Sequence, residues 1–453
     1  CTFPPPLPTH KRTMQAVSTQ CVARRGAAAS RRPVRVMGVA NLPQTAAPAK
    51  GKLTKSIKLP DPTPEEGIDN AVKLMRNGRM YRYNSDSAET CEVSLCEDAL
   101  AAYTGHKYMV AVNSCGSAIF IALKCAGVGP GTKVLSNAFT FTAVPSAIVH
   151  AGGDPVYVEC NSEYLMDVED LKRKADETGA KVLVLSYMRG KVSDVASIAA
   201  FCEERGITLI EDCAHALGVF WEERHMGTFG VAGCFSSQSY KMLNSGEGGF
   251  LATDDEDYAA KAIAYAGSYE QLFKKHLRAP PAEAFAKIGT SIPNFSLRMH
   301  GVTAAIIRPQ IATLEERVTE YNARYAWVAK RVRGIPGVEV PEQLPQVRPA
   351  CDSLQWNVVG FSQRQIEAVC ERCAAGGVPV EVFGADGNAR NFRNWGFEGR
   401  EAPEAADLQQ TYATIRSAFD VRLPLMFEDA DIELMLDVIE EALVYAQTEQ
   451  DEA

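Results

Sequence analysis

The sequence predicts an α/β fold, with a mostly parallel sheet covered by helices on both faces. Three observations carry this expectation. From about Glu65 to Glu320, short β-rich runs alternate with helical patterns, the mark of strand–helix–strand units. Runs such as Lys181-Val182-Leu183-Val184-Leu185-Ser186 are apolar nearly throughout and read as buried strands. The 453 residues are 46% hydrophobic and 23% charged, a soluble globular composition with room for a large core and two domains.

The elements follow in order. Tyr108 to Asn113 reads as a strand and Ser117 to Lys124 as a helix. Lys133 to Ser136 is a strand, followed by the helix Ala143 to His150. Pro155 to Glu159 is a strand, followed by the helix Val168 to Glu177. Lys181 to Ser186 precedes the helix Asp194 to Arg205, and Ile207 to Asp212 is the next strand. Two further strands fit Val231 to Ser236 and Gly249 to Thr253. From about Val328 to Ala453 the pattern is mixed and ends in a clear helix. No apolar run is long enough to span a bilayer. No G-x-G-x-x-G follows the first strand, so a dinucleotide is not indicated.

Charge divides the chain. Residues 1–60 hold eleven Lys or Arg and no Asp or Glu. The remainder keeps 36 basic against 56 acidic residues, a net −20 from Asp61 onward. An acidic body argues against nucleic acid as the main partner, because phosphate neutralisation needs clustered cations. The head is rich in Ala, Ser, Arg and Pro, the composition of an organelle transit peptide, and its lack of an amphipathic pattern favours plastid over mitochondrion. The alternative is a disordered tail that is never cleaved. The expected domains are therefore a basic head over 1–60, a large domain over 61–320 and a small one over 321–453. The 13 cysteines are scattered, as expected of reduced core thiols. Cys370-Glu371-Arg372-Cys373 is a lone CxxC with no second pair to complete a zinc site, so no metal is expected.

In sheets of this kind, ligands gather past the carboxyl ends of the strands. The first strand ends in Asn113-Ser114-Cys115-Gly116-Ser117. Small residues at a helix N-terminus expose backbone N–H groups and make a phosphate cradle, although a plain turn with a Ser cap reads the same way. The strand ending in Glu211-Asp212 offers a carboxylate that can pair with a protonated ring nitrogen, as the cofactor pyridoxal phosphate (PLP) needs; an acidic helix cap is the other reading. Lys241 lies five residues beyond Ser236, which ends a strand, and ahead of the turn Gly246-Glu247-Gly248-Gly249. In a partly dry, cation-rich pocket its amine would stay partly neutral and could form an imine with an aldehyde; most loop lysines are simply solvated.

Taken together and in this order, these motifs resemble the DegT/StrS group of sugar aminotransferases, which are fold-type I PLP enzymes. The resemblance runs from about Met75 to the C-terminal helix. Asn113 to Ile119 is similar to that family's phosphate loop N-S-G-T-A-A-L, with Cys115-Gly116 where Gly-Thr is usual and Ser117 able to supply the missing hydroxyl. Thr140-Phe141-Thr142-Ala143 resembles its T-aromatic-x-A, which gives Phe141 the role of stacking on the cofactor ring. Glu211 to His215 resembles E-D-A-A-H: Asp212 would pair with the pyridine nitrogen and His215 would lie near the ring hydroxyl. Phe235 to Lys241, with Gly-Glu-Gly-Gly downstream, makes Ser236 a phosphate ligand assisted by Gln238, and Lys241 the Schiff-base lysine. Asn294-Phe295-Ser296-Leu297-Arg298-Met299 is similar to N-Y-R-M with two extra residues, and gives Asn294 a place at the phosphate of a neighbouring subunit.

The resemblance implies a mostly parallel seven-stranded sheet, a smaller C-terminal α/β domain and a homodimer with shared active sites. It also implies PLP-dependent transfer of an amino group from glutamate or glutamine to a keto-sugar or similar carbonyl. Some relatives are sugar dehydratases that carry His in place of the lysine, and Lys241 argues against that activity. The set Lys241, Asp212 and Ser236 argues against a non-catalytic binding protein. Tyr81-Arg82-Tyr83, the turn Ser186 to Gly190, and Asn388 to Trp395 are candidates for the substrate wall or for ordinary surface loops. Arginines there would suit a carboxylate or phosphate.

Overall fold

The computed structural model describes residues 51–268, 272–397 and 399–448. Residues 1–50, most of the basic head, lie outside them.

Nine strands occupy the first part of the described chain: β1 (Tyr108–Val112), β2 (Lys133–Asn137), β3 (Asp154–Val158), β4 (Val182–Ser186), β5 (Thr208–Asp212), the short β6 (Phe220–Trp221) and β7 (Arg224–His225), β8 (Ala232–Ser236) and β9 (Gly249–Thr253). Seven of them form one sheet in the order β1-β9-β8-β5-β4-β2-β3. β3, β2, β4, β5 and β8 pair in parallel. β9 runs antiparallel to both of its neighbours. The reason is its connection: residues 237–248 carry no crossover helix, and without one a strand can only return antiparallel. That return loop holds Lys241 at the carboxyl ends of the parallel strands. Gly249 lets β9 pass the β1–helix junction, since a Cβ there would overlap the Ser114 backbone.

The expected strands are all present within a residue or two. One boundary differs in a useful way. The helix after β1 starts at Cys115 rather than Ser117, capped by the Ser114 hydroxyl, which accepts the Ser117 N–H at 3.0 Å. Gly116 and Ser117 therefore lie in a first helical turn, whose N–H groups have no intrahelical acceptor.

β5 shows how strand alternation separates scaffold from site. Glu211 and Asp212 are both buried and point to opposite faces. The Glu211 carboxylate accepts the Tyr187 hydroxyl at 2.7 Å and the N–H groups of Gly227, Phe229 and Gly230 at 2.7–2.8 Å, which pins the turn before β8. Its acceptor sites are filled by the protein itself.

A second, antiparallel sheet has the order β10-β12-β14-β13, built from β10 (Val338–Glu339), β12 (Ser353–Val358), β13 (Glu381–Val382) and β14 (Ala418–Arg422). β11 (Val347–Arg348) instead pairs with β6. The helix Leu314–Arg333 links the two cores: Leu314 and Val318 pack with the large sheet, Val328 and Val332 with the small one. The eleven cysteines among the described residues are all free, and nine of them are buried. No described helix is long and apolar enough to cross a membrane.

Residues 51–60, read above as part of the head, pack against the second sheet. Leu53 and Ile57 are buried in its core, and the Leu53 N–H donates to the Gly376 carbonyl at 2.9 Å. Two apolar residues four apart were hidden in an otherwise basic stretch. A chain starting at Asp61 is therefore expected to be less stable than one starting at Gly51. Leu53→Ala alone should cost about 2–5 kcal/mol in chemical unfolding. Equal unfolding midpoints for the two truncations would contradict this packing.

Candidate active site

Three strand ends meet at one hollow. β1 delivers the start of the helix Cys115–Cys125, β5 delivers Asp212, and β8 delivers Ser236 and the loop bearing Lys241. Together they border a cavity of about 470 Å³. Of the nine residues singled out in the sequence, seven line it: Gly116, Phe141, Asp212, His215, Ser236, Gln238 and Lys241. Ser117 lines an adjoining hollow with Ser114 and Gly116, and its hydroxyl donates to Asn113 Oδ1 at 2.6 Å. Asn294 lines neither. Its carboxamide oxygen accepts the Ser296 N–H at 2.7 Å, in a segment that turns through Ser296 at φ 56°.

Asp212 is held by a relay of hydroxyls. Thr140 Oγ1 donates to Ser186 Oγ at 2.7 Å, and Ser186 Oγ donates to Asp212 Oδ2 at 2.7 Å. The Ala214 N–H donates to Oδ1 at 3.1 Å. Burial pushes the Asp212 carboxyl above its ordinary range, and these donors together with Lys241 oppose the shift. A cationic ring nitrogen beside it would hold it ionised.

Lys241 Nζ lies 2.7 Å from His215 Nε2. Burial and nearby cations push His215 well below its usual value, so its ring is neutral. Nε2 then accepts from the lysine amine and the proton sits on Nδ1, which is buried without a partner. Lys241 is lowered to about 7, first by burial and then by Arg189, while Asp352 and Asp212 oppose the shift. Burial disfavours the ammonium form, so the reactive free amine gains as pH rises through about 7, not through the ordinary lysine range near 10.4. Capture of added PLP, followed by absorbance in a rapid-mixing experiment between pH 5.5 and 9, should therefore accelerate through about pH 7 and level off above it. A rate still climbing steeply at pH 9 would mean an ordinary exposed lysine.

Further lining residues come from segments the sequence offered, Met188 from the turn Ser186 to Gly190, Arg390 from Asn388 to Trp395, and Tyr240 and Glu247 from the stretch around Lys241, whereas Arg422 was not singled out. Arg422 ends β14, and only the pairing of the second sheet brings it here. The suggested substrate segments divide. Arg82 is buried in an ion pair with Glu97, so Tyr81–Tyr83 forms scaffold and does not line the cavity. Arg189 is buried and ion-paired with Asp420. Arg393 is exposed and lies over Tyr412. Within Asn388–Trp395, Arg390 is the residue that reaches the cavity.

The lining suits PLP. Phe141 keeps 42% of its surface exposed and offers a flat apolar face. Asp212, at the end of β5, offers its carboxyl to the same space, where a protonated ring nitrogen would meet it. The helix start at Gly116, with Ser236 and Gln238, offers donors to a phosphate. The Lys241 amine borders the same space.

Comparisons with known proteins bear on the fold and the family. The chain is 30% identical over 250 residues to the spore coat polysaccharide biosynthesis protein SpsC of Bacillus subtilis, covering 54% of this chain and 63% of that protein, just under two thirds of its length. It is 28% identical over 316 residues to the 3-amino-5-hydroxybenzoate synthase of Amycolatopsis mediterranei, covering 68% of this chain and 76% of that protein. The crystal structure of a 3-amino-5-hydroxybenzoic acid synthase superposes with a TM-score of 0.74 at 22% identity, over 88% of this chain and 100% of that one. An aminotransferase from Psychrobacter cryohalolentis does so with a TM-score of 0.74 at 19% identity, over 86% and 100%. The fold is thus that of PLP-dependent aminotransferases. Residues 75–387 match one protein family across more than half of the chain, and the chain belongs to that family, the PLP-binding DegT/DnrJ/EryC1/StrS aminotransferases.

Proposed function

We propose that this chain moves an amino group from glutamate or glutamine to the carbonyl carbon of a keto-sugar or related acceptor. The observation that carries the reading is one cavity bordered by the Lys241 amine, the Asp212 carboxyl and the Phe141 ring. PLP, when bound, supplies an electron sink for the electrons left behind when a Cα proton is removed. Asp212, oriented by Ser186 and Thr140, would keep the ring nitrogen protonated. Phe141 would offer its flat face to the ring. Gly116, Ser236 and Gln238 would hold the phosphate, with Ser117 bracing the loop through Asn113. Lys241 would hold the cofactor covalently and, as a free amine, would move the proton between the donor Cα and the cofactor C4′. His215 accepts from that amine and orients it. The acceptor class follows the relatives, one named for polysaccharide biosynthesis and one for making an amino-substituted ring acid. The test is release of the matching keto acid from glutamate and, separately, from glutamine across a panel of keto-sugars. Release that depends on the acceptor supports the reading; donor untouched with every acceptor overturns it.

The working unit in this reading is a two-fold homodimer in which Asn294 completes the neighbour's phosphate site. Its support is that Asn294 stays out of its own chain's cavity. A two-fold axis uses the same patch twice, so the sites exchange between chains. Lys241→Ala and Asn294→Ala chains, each poorly active, are therefore expected to recover about a quarter of wild-type activity on remixing, because about half the dimers are mixed and each has one intact site. No recovery, with subunit exchange shown by tagged chains, would put Asn294 in its own chain's site. The basic head, by its composition, targets an organelle, with plastid favoured over mitochondrion. Import of a tagged copy that is lost when residues 1–50 are removed is the expected result.

A further inference from the structure

The mechanism above leaves three arginines unused. Arg390 and Arg422 line the cavity beside Lys241, and Arg189 lies behind them. Each is held firmly. Arg390 sits on a loop anchored by the Thr142 N–H donating to the Ala389 carbonyl at 3.0 Å, and its guanidinium lies 5.5 Å from the centre of the Phe141 ring. Arg422 donates to the Tyr240 carbonyl at 3.2 Å and stacks on the Tyr240 ring at 4.3 Å, next to Lys241. Arg189 pairs with Asp420, two residues before Arg422 and on the same strand face.

Their negative partners are few. Among the described residues no carboxylate lies within ion-pair distance of Arg422. Arg390 has only the edge of Glu381, at 3.3 Å. Nε of Arg390, and Nε and Nη1 of Arg189, are buried without partners. Burial first, and then Arg189, pushes Arg390 down to about 10 against Asp420 and Glu381, and burial lowers Arg422 although Asp352 and Asp420 oppose the shift. Guanidiniums crowded in this way call for a bound anion. The phosphate cradle is already supplied elsewhere, by the helix start and Ser236.

Building on the amino transfer proposed above, we infer that Arg390 and Arg422 hold a substrate carboxylate, with Arg189 positioning them through Asp420, and that both the donor and the acceptor carry that group. A planar guanidinium matches a carboxylate in a fork of two hydrogen bonds. Both half-reactions use one cavity. A neutral acceptor would leave the two half-buried guanidiniums without an anion in the cavity, while an acidic one meets the same contacts as the amino acid donor.

The test uses the PLP-loaded full chain and glutarate, a dicarboxylate with no amino or carbonyl group to react. Calorimetric titration should show glutarate binding that weakens roughly tenfold or more in Arg390→Gln and in Arg422→Gln, with partial recovery in Arg422→Lys. Melting temperature and the covalent label on Lys241 check that each variant is folded and loaded. Binding unchanged in folded, loaded Gln variants would overturn the carboxylate site. Inorganic phosphate binding more tightly than glutarate through the same two arginines would overturn the choice of carboxylate. In turnover, an acid acceptor should be preferred over its neutral analogue by about tenfold, and Arg422→Gln should erase the preference. A wild-type chain indifferent to the acceptor's charge would overturn the acceptor half. Glutarate binding needs no amino transfer: arginine-dependent binding in a chain that transfers nothing would sink the proposed activity and leave this site standing.

Discussion

Lys241→Ala is expected to reduce amino transfer by at least about 10²–10⁴-fold, the usual contribution of a positioned acid–base group. The loss should exceed that of any other single change, because the same nitrogen has two tasks. In the proposed reaction it would both hold the cofactor covalently and move the proton between two carbons. A buried amine lowered to about 7 is suited to both, since it changes protonation state near neutral pH. Alanine leaves PLP to the phosphate donors and Phe141, so weak cofactor binding should persist while 2-oxoglutarate release stops. Added methylamine would restore part of the chemistry by entering the space that the side chain vacates. A variant that retained most of its turnover would remove Lys241 from the reaction.

Asp212→Asn is expected to keep the fold and part of the cofactor binding while costing roughly 3 kcal/mol or more in activation, about two orders of magnitude in rate. The amide preserves shape and its oxygen can still accept the Ala214 N–H, which the carboxylate accepts on Oδ1 at 3.1 Å, while its NH2 faces the Ser186 hydroxyl that donated to Oδ2 at 2.7 Å, so that hydroxyl must turn its proton elsewhere. What it lacks is the charge that keeps the ring nitrogen protonated. The loss should fall on the proton-abstraction step, measured as single-turnover consumption of glutamate, with little change in melting temperature. Near wild-type turnover would reduce Asp212 to a strand-end cap. The adjacent Glu211→Gln should behave in the opposite way, because that carboxylate braces three backbone N–H groups and Tyr187 on the other face: a lower melting temperature with little change in the reaction rate of folded protein.

The large sheet was legible because each of its strands is a short apolar run bounded by turns, followed in most cases by a helical pattern. Much of the cavity was legible for a related reason. Asp212, Ser236 and Gly116 all lie at strand ends, and alternating parallel strands force their carboxyl ends to one side. Lys241 could be placed because it sits in a short return loop at that same edge. Arg422 could not, because it arrives at the end of β14 through strand pairing far apart in sequence that leaves no local pattern. Arg390 was offered only as part of Asn388–Trp395, and the tie between the Thr142 N–H and the Ala389 carbonyl is what brings it to the cavity. Arg82 misled because a cation between two aromatics looks like a binding loop, while its charge is spent on the buried Glu97. Leu53 and Ile57 were missed because two apolar residues in a basic stretch carry no period long enough to read.

The proposed reaction needs Lys241 to hold the cofactor in the cavity shared with Asp212 and Phe141. Incubating the chain with PLP, reducing with borohydride and mapping the peptides by mass tests it directly, since reduction makes a link between lysine and cofactor permanent. One pyridoxyl group per chain is expected, on the peptide containing Lys241. Label on a different lysine, or a protein that takes up no PLP, would contradict it.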